Sequence, residues 1–274
     1  MTYRLIESYC QSPKPAGLGE DRLVQTDNFI AVIDGATSSG PIDGLPGGIV
    51  AADTIAEVLR SLPPDSQARE FADRATAALK RRLGAEFERP TARPSAAAVV
   101  WSAERAEIWR IGDCHFRFDS RSFLGGKEID RLAYSYRCAV VRARLRLQAT
   151  TEAIEQRVPA MEQPYMALVR AQHAFLNADI DDPLAYGGID GSLIPDRFVE
   201  VVATRGAKEI VLCSDGFLAP SATLAEGLAD LARIRDADPL MVRLYNGSRP
   251  FPPGGNLFDD ATFVRFEPSR SYRR

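Results

Sequence analysis

The sequence predicts a layered α+β domain. Short apolar runs of about five residues come in blocks, and segments with helical spacing fall in pairs between those blocks. The regular strand–helix alternation that a doubly wound parallel sheet requires is missing from the pattern.

Taken in order, an opening strand is predicted near Arg4 to Tyr9, followed by a loop containing Pro13, Pro15, Gly17 and Gly19. Asp27-Asn28 reads as a turn into a strand from Phe29 to Asp34. A loop of small residues then leads to a helix from Gly48 to Leu62, with Ile49, Ala52, Ile55, Ala56 and Leu59 on one face and Pro63-Pro64 as its stop. Asp65 or Ser66 is the expected cap of a second helix running to about Phe87. Strands are predicted at Ala96 to Trp101, Ala106 to Ile111 and His115 to Asp119, as antiparallel neighbours. Residues 129 to 177 read as helical with breaks near Pro159 and Pro164. Arg137, Arg142, Arg144 and Arg146 are expected on a solvated face. After an Asp/Gly/Pro loop, strands are predicted at Phe198 to Ala203 and Glu209 to Ser214, and helices at Leu224 to Ile234 and Pro239 to Tyr245. A Gly/Pro loop and a last strand, Ala261 to Phe266, follow. Nothing in 1–274 has the composition of an interdomain linker, so one domain is expected.

Composition narrows the function classes. With 45% hydrophobic and 26% charged residues the chain reads as an ordinary globular protein. A net charge of −3 disfavours general nucleic-acid binding. No apolar run reaches the roughly 20 residues of a membrane span. The first residues lack the apolar block of a signal peptide, so a cytoplasmic location and no membrane partner are expected. Cys10, Cys114, Cys138 and Cys213 form no Cys-x-x-Cys pair, and Cys138 and Cys213 read as small core residues. Only His115 and His173 are available for imidazole chemistry, which disfavours zinc hydrolase and Ser/His/Asp arrangements.

The informative pattern is acidic. Phe29-Ile30-Ala31-Val32-Ile33 ends in Asp34-Gly35, and Ile210-Val211-Leu212-Cys213-Ser214 ends in Asp215-Gly216. Gly112-Asp113 closes another apolar run, Asp259-Asp260 opens the last one, and Glu20-Asp21 precedes the first of them. Carboxylates gathered together need a compensating charge to remain ionised. Oxygen-only ligands favour Mg2+ or Mn2+ over zinc or copper, and two such ions suit phosphate-ester hydrolysis.

In that order these motifs resemble the metal-dependent serine/threonine protein phosphatases of the 2C type, including bacterial members, over residues 20 to 267. The resemblance implies a four-layer fold, a β-sandwich of two antiparallel sheets flanked by pairs of helices. It implies a binuclear Mg2+ or Mn2+ centre in which Asp34 bridges the ions, the Gly35 carbonyl serves one, and Asp215 and Asp259 hold the other. Asp21 would contact metal directly or through water, Asp113 would serve a third ion, and Asp260 would support the ligands. The implied activity is hydrolysis of phosphoserine and phosphothreonine in a protein partner, with Asp34, Asp215 and Asp259 carrying the catalytic centre.

The sequence also departs from the pattern. Ala16 stands where a phosphate-holding arginine is usual, with Lys14 and Arg22 nearby, and Ala36 stands where a general-acid histidine often follows Asp-Gly. Cys114-His115 replaces the usual Ser-Arg. In an extended segment His115 shares a face with Asp113, although a packed histidine is the ordinary expectation. The loop Tyr186 to Gly191 reads either as a substrate-selecting flap or as a plain connection. These departures keep two alternatives open: a phosphatase of small phosphomonoesters, or a catalytically weak regulatory or binding module.

Overall fold

The structure, a computed structural model, describes residues 2–36, 41–90, 93–147 and 163–269. Its strands are β1 (Tyr3–Gln11), β2 (Arg22–Gln25), β3 (Phe29–Ala36), β4 (Ser95–Ser102), β5 (Glu107–Ile111), β6 (His115–Phe118), β7 (Arg121–Phe123), β8 (Glu200–Ala203), β9 (Ile210–Cys213) and β10 (Ala261–Pro268). They form two five-stranded sheets, in the orders β2-β3-β4-β5-β8 and β1-β10-β9-β6-β7. All pairings are antiparallel. The helices are α1 (Gly47–Ser61), α2 (Ala68–Leu83), α3 (Glu128–Leu147), α4 (Gln163–Ala171) and α5 (Leu224–Ala237). Among the described residues no helix is long and apolar enough to cross a membrane.

Uninterrupted apolar runs in an antiparallel sheet have a specific cause here: the central strands are buried on both faces. In β3, Ile30 and Val32 face the opposite sheet, whereas Phe29, Ala31 and Ile33 face α1 and α2. In β9, Ile210 and Leu212 meet the same inter-sheet core, while Val211 and Cys213 pack under α5. In β10, Val264 and Phe266 point inward and Phe263 outward. A period-2 alternation of two apolar sets appears in sequence as one continuous run. Trp101 and Phe266 hold the middle layer together across the sheets, with ring centroids 5.0 Å apart. The result is the expected α+β sandwich with helical layers outside.

Helix α1 buries Ile55, Ala56 and Leu59 against the first sheet. Helix α5 is capped by Thr223, which accepts the Glu226 N–H at 3.2 Å, while the Glu226 carboxylate accepts the N–H of the preceding Ala222 at 3.1 Å. Helix α2 begins later than expected, at Ala68. Neither Asp65 nor Ser66 is its cap, because Gln67 occupies that position without a side-chain hydrogen bond.

Several expectations are corrected. β5 and β6 are consecutive but lie in different sheets, since Gly112–Cys114 crosses the sandwich. β2 and β7 are short strands whose partners are decided by the sheets rather than by a local pattern. The break expected near Pro159 lies outside the described residues, and Pro164 sits in the first turn of α4, where a missing N–H costs nothing. Pro239 to Tyr245 is not a helix. Asp238 Oδ2 accepts the N–H groups of Val242, Arg243 and Leu244 at 3.0, 2.6 and 2.8 Å, and Met241 adopts a φ of 54°. Arg142, Arg144 and Arg146 are exposed, but Arg137 is buried. Its guanidinium donates to the carbonyls of Leu240 and Gly247, each at 3.2 Å, and joins α3 to the 238–247 loop. Cys138 and Cys213 are buried in apolar clusters.

Because Arg137 satisfies buried carbonyls, Arg137→Met is expected to destabilise the fold by about 2–4 kcal/mol. Urea denaturation measures this, and a change below about 0.5 kcal/mol would contradict the assigned role.

Candidate acidic centre

Antiparallel pairing brings every acidic motif to one end of the sandwich. β3, β5 and β9 end there, and β2 and β10 begin there. Asp34 and Gly35 sit in the last part of β3, opposite Ala97 and Ala96 of β4. Asp215 lies two residues beyond β9, Asp259 two residues before β10, and Asp21 just before β2. Asp113 lies in the crossing between the sheets. Asp34, Asp215 and Asp259 stay partly accessible, whereas Glu20, Asp21, Asp113 and Asp260 are buried.

The glycines beside these acids are required by close backbone approach. A Cβ on Gly35 would fall 2.4 Å from the Gly48 carbonyl oxygen and 2.7 Å from that of Glu20. One on Gly216 would fall 1.9 Å from the Asp260 carbonyl oxygen. Gly112 additionally has a φ of +90°, which any side chain resists.

Hydrogen bonds lock the acids into one network. Ser214 Oγ donates to Asp21 Oδ2 at 2.7 Å and accepts the Thr262 N–H at 2.9 Å, which ties the two sheets together at the centre. Asp260 Oδ2 accepts the Glu20 N–H at 2.6 Å. Lys14 pairs with Glu20 and also with Asp260, at 3.2 Å. Arg249 Nη2 lies 3.2 Å from Asp259 Oδ2, and Lys127 Nζ lies 2.9 Å from Asp113 Oδ2.

The charge is therefore unevenly balanced. Asp34 is pushed well above the usual carboxylate range, first by burial and then by the charges of Asp215, Asp21 and Asp113. Asp215 rises to about 7 through burial and the charges of Asp113 and Asp259. Asp21 also rises to about 7 through burial, although Ser214 and Thr262 work against the rise. For Asp113 burial acts upward too, but Lys127 prevails and the carboxyl sits below its usual value. Asp259 remains raised by burial despite Arg249.

His115 is packed rather than free in solvent. It is 5% exposed, and its Nδ1 accepts the Gly125 N–H at 2.8 Å. Burial lowers its pKa. The Tyr186–Gly191 loop is pinned rather than free: Ile189 pairs with Ala96, and Asn177 donates to the Gly188 carbonyl at 2.8 Å. Position 36 carries only a methyl group, and Ala16 lines a cavity of about 340 Å3 together with Lys14, Asp21, Arg22 and Asp260. A larger cavity of about 440 Å3, around Arg93, His173, Asn177 and Asp190, shares no lining residue with it.

The donor set suits a hard divalent cation. It is all oxygen, Asp21 Oδ1 is buried with no hydrogen-bond partner among the described residues, and the charges of Asp215 and Asp21 both bear on Asp34. Among the described residues, no three Asp, Glu, His or Cys side chains are arranged as a complete ligand set around one ion. The fit is therefore one of chemistry and charge. Arg249, Lys127 and its second partner Asp130, Ser214 and Thr262 were not anticipated from sequence. The one local hint is that Arg249 is the sole basic residue in the Gly/Pro loop before Asp259.

No protein-family model matches the sequence, and no curated protein does. Solved structures do. The Mycobacterium tuberculosis serine/threonine phosphatase PstP/Ppp aligns over 96% of this chain and 98% of its own, with a TM-score of 0.50 and 16% identity. Stp1 from Staphylococcus aureus, a serine/threonine phosphatase, aligns over 96% and 94% with a TM-score of 0.47 and 11% identity. RsbX, solved with magnesium, aligns over 97% and 100% with a TM-score of 0.46 and 11% identity. At these identities the likeness concerns the fold, and the first comparison carries it: the chain has the fold of a 2C-type serine/threonine phosphatase.

The raised carboxylates set a pH dependence. A carboxyl raised in the folded state holds its proton there at pH values where the unfolded chain has released it, so it stabilises at low pH and loses that stabilisation as pH rises through the folded value. With chelator present, unfolding free energy is expected to fall by on the order of 2 kcal/mol between pH 4 and pH 7.5 from this source. Asp34→Asn should reduce the fall, as read by denaturation at both pH values. An unchanged slope would show that the acids are not mutually strained.

Proposed function

We propose that this protein is a metal-dependent phosphatase that hydrolyses phosphoserine and phosphothreonine in protein substrates. The observation that carries the reading is the surplus negative charge shared by Asp34, Asp215 and Asp21 at the end of a sandwich of this fold. Asp34, the Gly35 carbonyl, Asp215 and Asp259 would hold Mg2+ or Mn2+, with Asp21 completing the set. When bound, the ions supply the positive charge that lowers the pKa of water and offsets charge on the phosphoryl oxygens.

The chain's own residues divide the remaining work. Ser214 and Thr262 hold Asp21 in place through the hydrogen bonds described above. Lys14, already occupied by Glu20 and Asp260, braces the acids. Arg249 is different: its side chain is 47% exposed and among the described residues it pairs with one carboxylate, so donor N–H groups remain to grip a phosphate oxygen. This supplies the cationic contact that Ala16 lacks. With Ala36 in the sequence and His115 packed against Gly125, no imidazole serves the leaving alcohol, and its proton comes from solvent.

A second reading, the catalytically weak module, is favoured by one feature: Asp113, Asp259 and Asp260 each already have a cationic side-chain partner. Calorimetric Mn2+ titration followed by a phosphopeptide assay separates the two readings, because metal binding without turnover selects the module. Comparison of a phosphopeptide with a small aryl phosphate separates protein from small-molecule substrates.

Asp34→Ala is expected to reduce phosphopeptide hydrolysis at least 100-fold in saturating Mn2+. The phosphatase reading fails if the rate is retained. Arg249→Met is expected to raise KM about 10-fold or more with a smaller change in kcat, the loss of about 1.4 kcal/mol of phosphate binding. A parallel rise in the inhibition constant of inorganic phosphate is the accompanying signature.

A further inference from the structure

We propose that Lys127 is the resident cation of Asp113, so that this acid takes no metal ion. The inference deepens the reading above and rests on it for the ions expected at Asp34 and Asp215.

Lys127 precedes the first turn of α3, and its ammonium lies between two carboxylates, 2.9 Å from Asp113 Oδ2 and 3.2 Å from Asp130 Oδ2. All three side chains are largely buried, at 19%, 11% and 12% exposure respectively. The Tyr186 ring closes another side, with its centroid 5.2 Å from Nζ. An ammonium with three donors, two carboxylate acceptors and an aromatic face is well satisfied.

The backbone leading to Lys127 is seated on the loop that carries Asp113. A Cβ on Gly125 would fall 1.9 Å from the Asp113 carbonyl oxygen and 2.5 Å from that of Cys114, so the strap 124–127 passes in direct contact with that loop. The Gly125 N–H is bonded to His115 Nδ1 at 2.8 Å. Lys127 therefore hangs from an anchored strap, unlike a surface lysine that can swing aside. A divalent ion at Asp113 would have to displace the ammonium from two buried carboxylates while the strap holds its base in place, leaving a buried charge without its carboxylate partners. The same pairing lets Asp113 fasten the start of α3 to the end of the sandwich. It thus has a structural role where the sequence alone suggested a ligand.

Metal stoichiometry tests this. Native mass spectrometry and calorimetry with Mn2+ are run on the full chain, Asp113→Asn, Lys127→Met and the double variant. The expected results are that Asp113→Asn leaves ion number and affinity unchanged. Lys127→Met binds one more ion than the parent, and the double variant loses that ion. The inference is overturned if Asp113→Asn alone loses an ion, or if folded Lys127→Met gains none. Should Lys127→Met fail to fold, Asp113→Asn decides the matter. If the parent binds no ion at all, the phosphatase reading falls, while the gain or absence of an ion in Lys127→Met still decides this one.

Discussion

Carboxylates brought together with too few cations dominate this structure. Asp34, Asp215 and Asp21 are forced into proximity by two rigid sheets, and desolvation makes each resist ionisation while the others carry charge. A globular chain tolerates such an arrangement only if the surrounding fold over-determines it. Here the surroundings do so by covalent and packing means: Asp34 and Asp215 sit on or just beyond β3 and β9, whose apolar residues are buried on both faces. The strands cannot shift register without moving an apolar set into the wrong layer.

The close backbone contacts follow from the same constraint. Gly35 against Gly48 and Glu20, and Gly216 against Asp260, bring five separate segments to distances that no Cβ allows. Ser214 and Thr262 then couple the second sheet to Asp21 before the first. Around this core the outer acids are neutralised from within, Asp113 by Lys127, Asp259 by Arg249, and Asp260 by Lys14. The charge balance thus runs from acids paired with a cation at the periphery to Asp34 and Asp215, whose carboxyls are raised by burial and by neighbouring acids. That gradient sets Asp34 and Asp215 apart from the acids around them.

Much of this was legible one segment at a time. The strands β3, β9 and β10, the helices α1 and α5, and the acids at strand ends each follow from local apolar runs and their punctuation. Where local reading failed, a long-range contact had overruled it. Pro239 to Tyr245 has helical spacing, but Asp238 and Arg137 capture its N–H groups and carbonyls from outside a helix. Arg137 looks like its exposed neighbours Arg142 and Arg144 and differs only because the 238–247 loop folds over it. β5 and β6 look like a hairpin, yet the positive φ of Gly112 sends the chain across to the other sheet.

The sequence by itself determined which segments are buried strands and that each of several delivers a carboxylate at its end, because side-chain periodicity and glycine placement are local properties. Only the tertiary structure decided which acids share a charge and which cation answers each of them. Lys127 and Asp113 are 14 positions apart, Arg249 and Asp259 ten, Lys14 and Asp260 nearly the whole chain. Coulombic balance depends on distance in space and on exclusion of water, and neither is written in the spacing of residues along the chain.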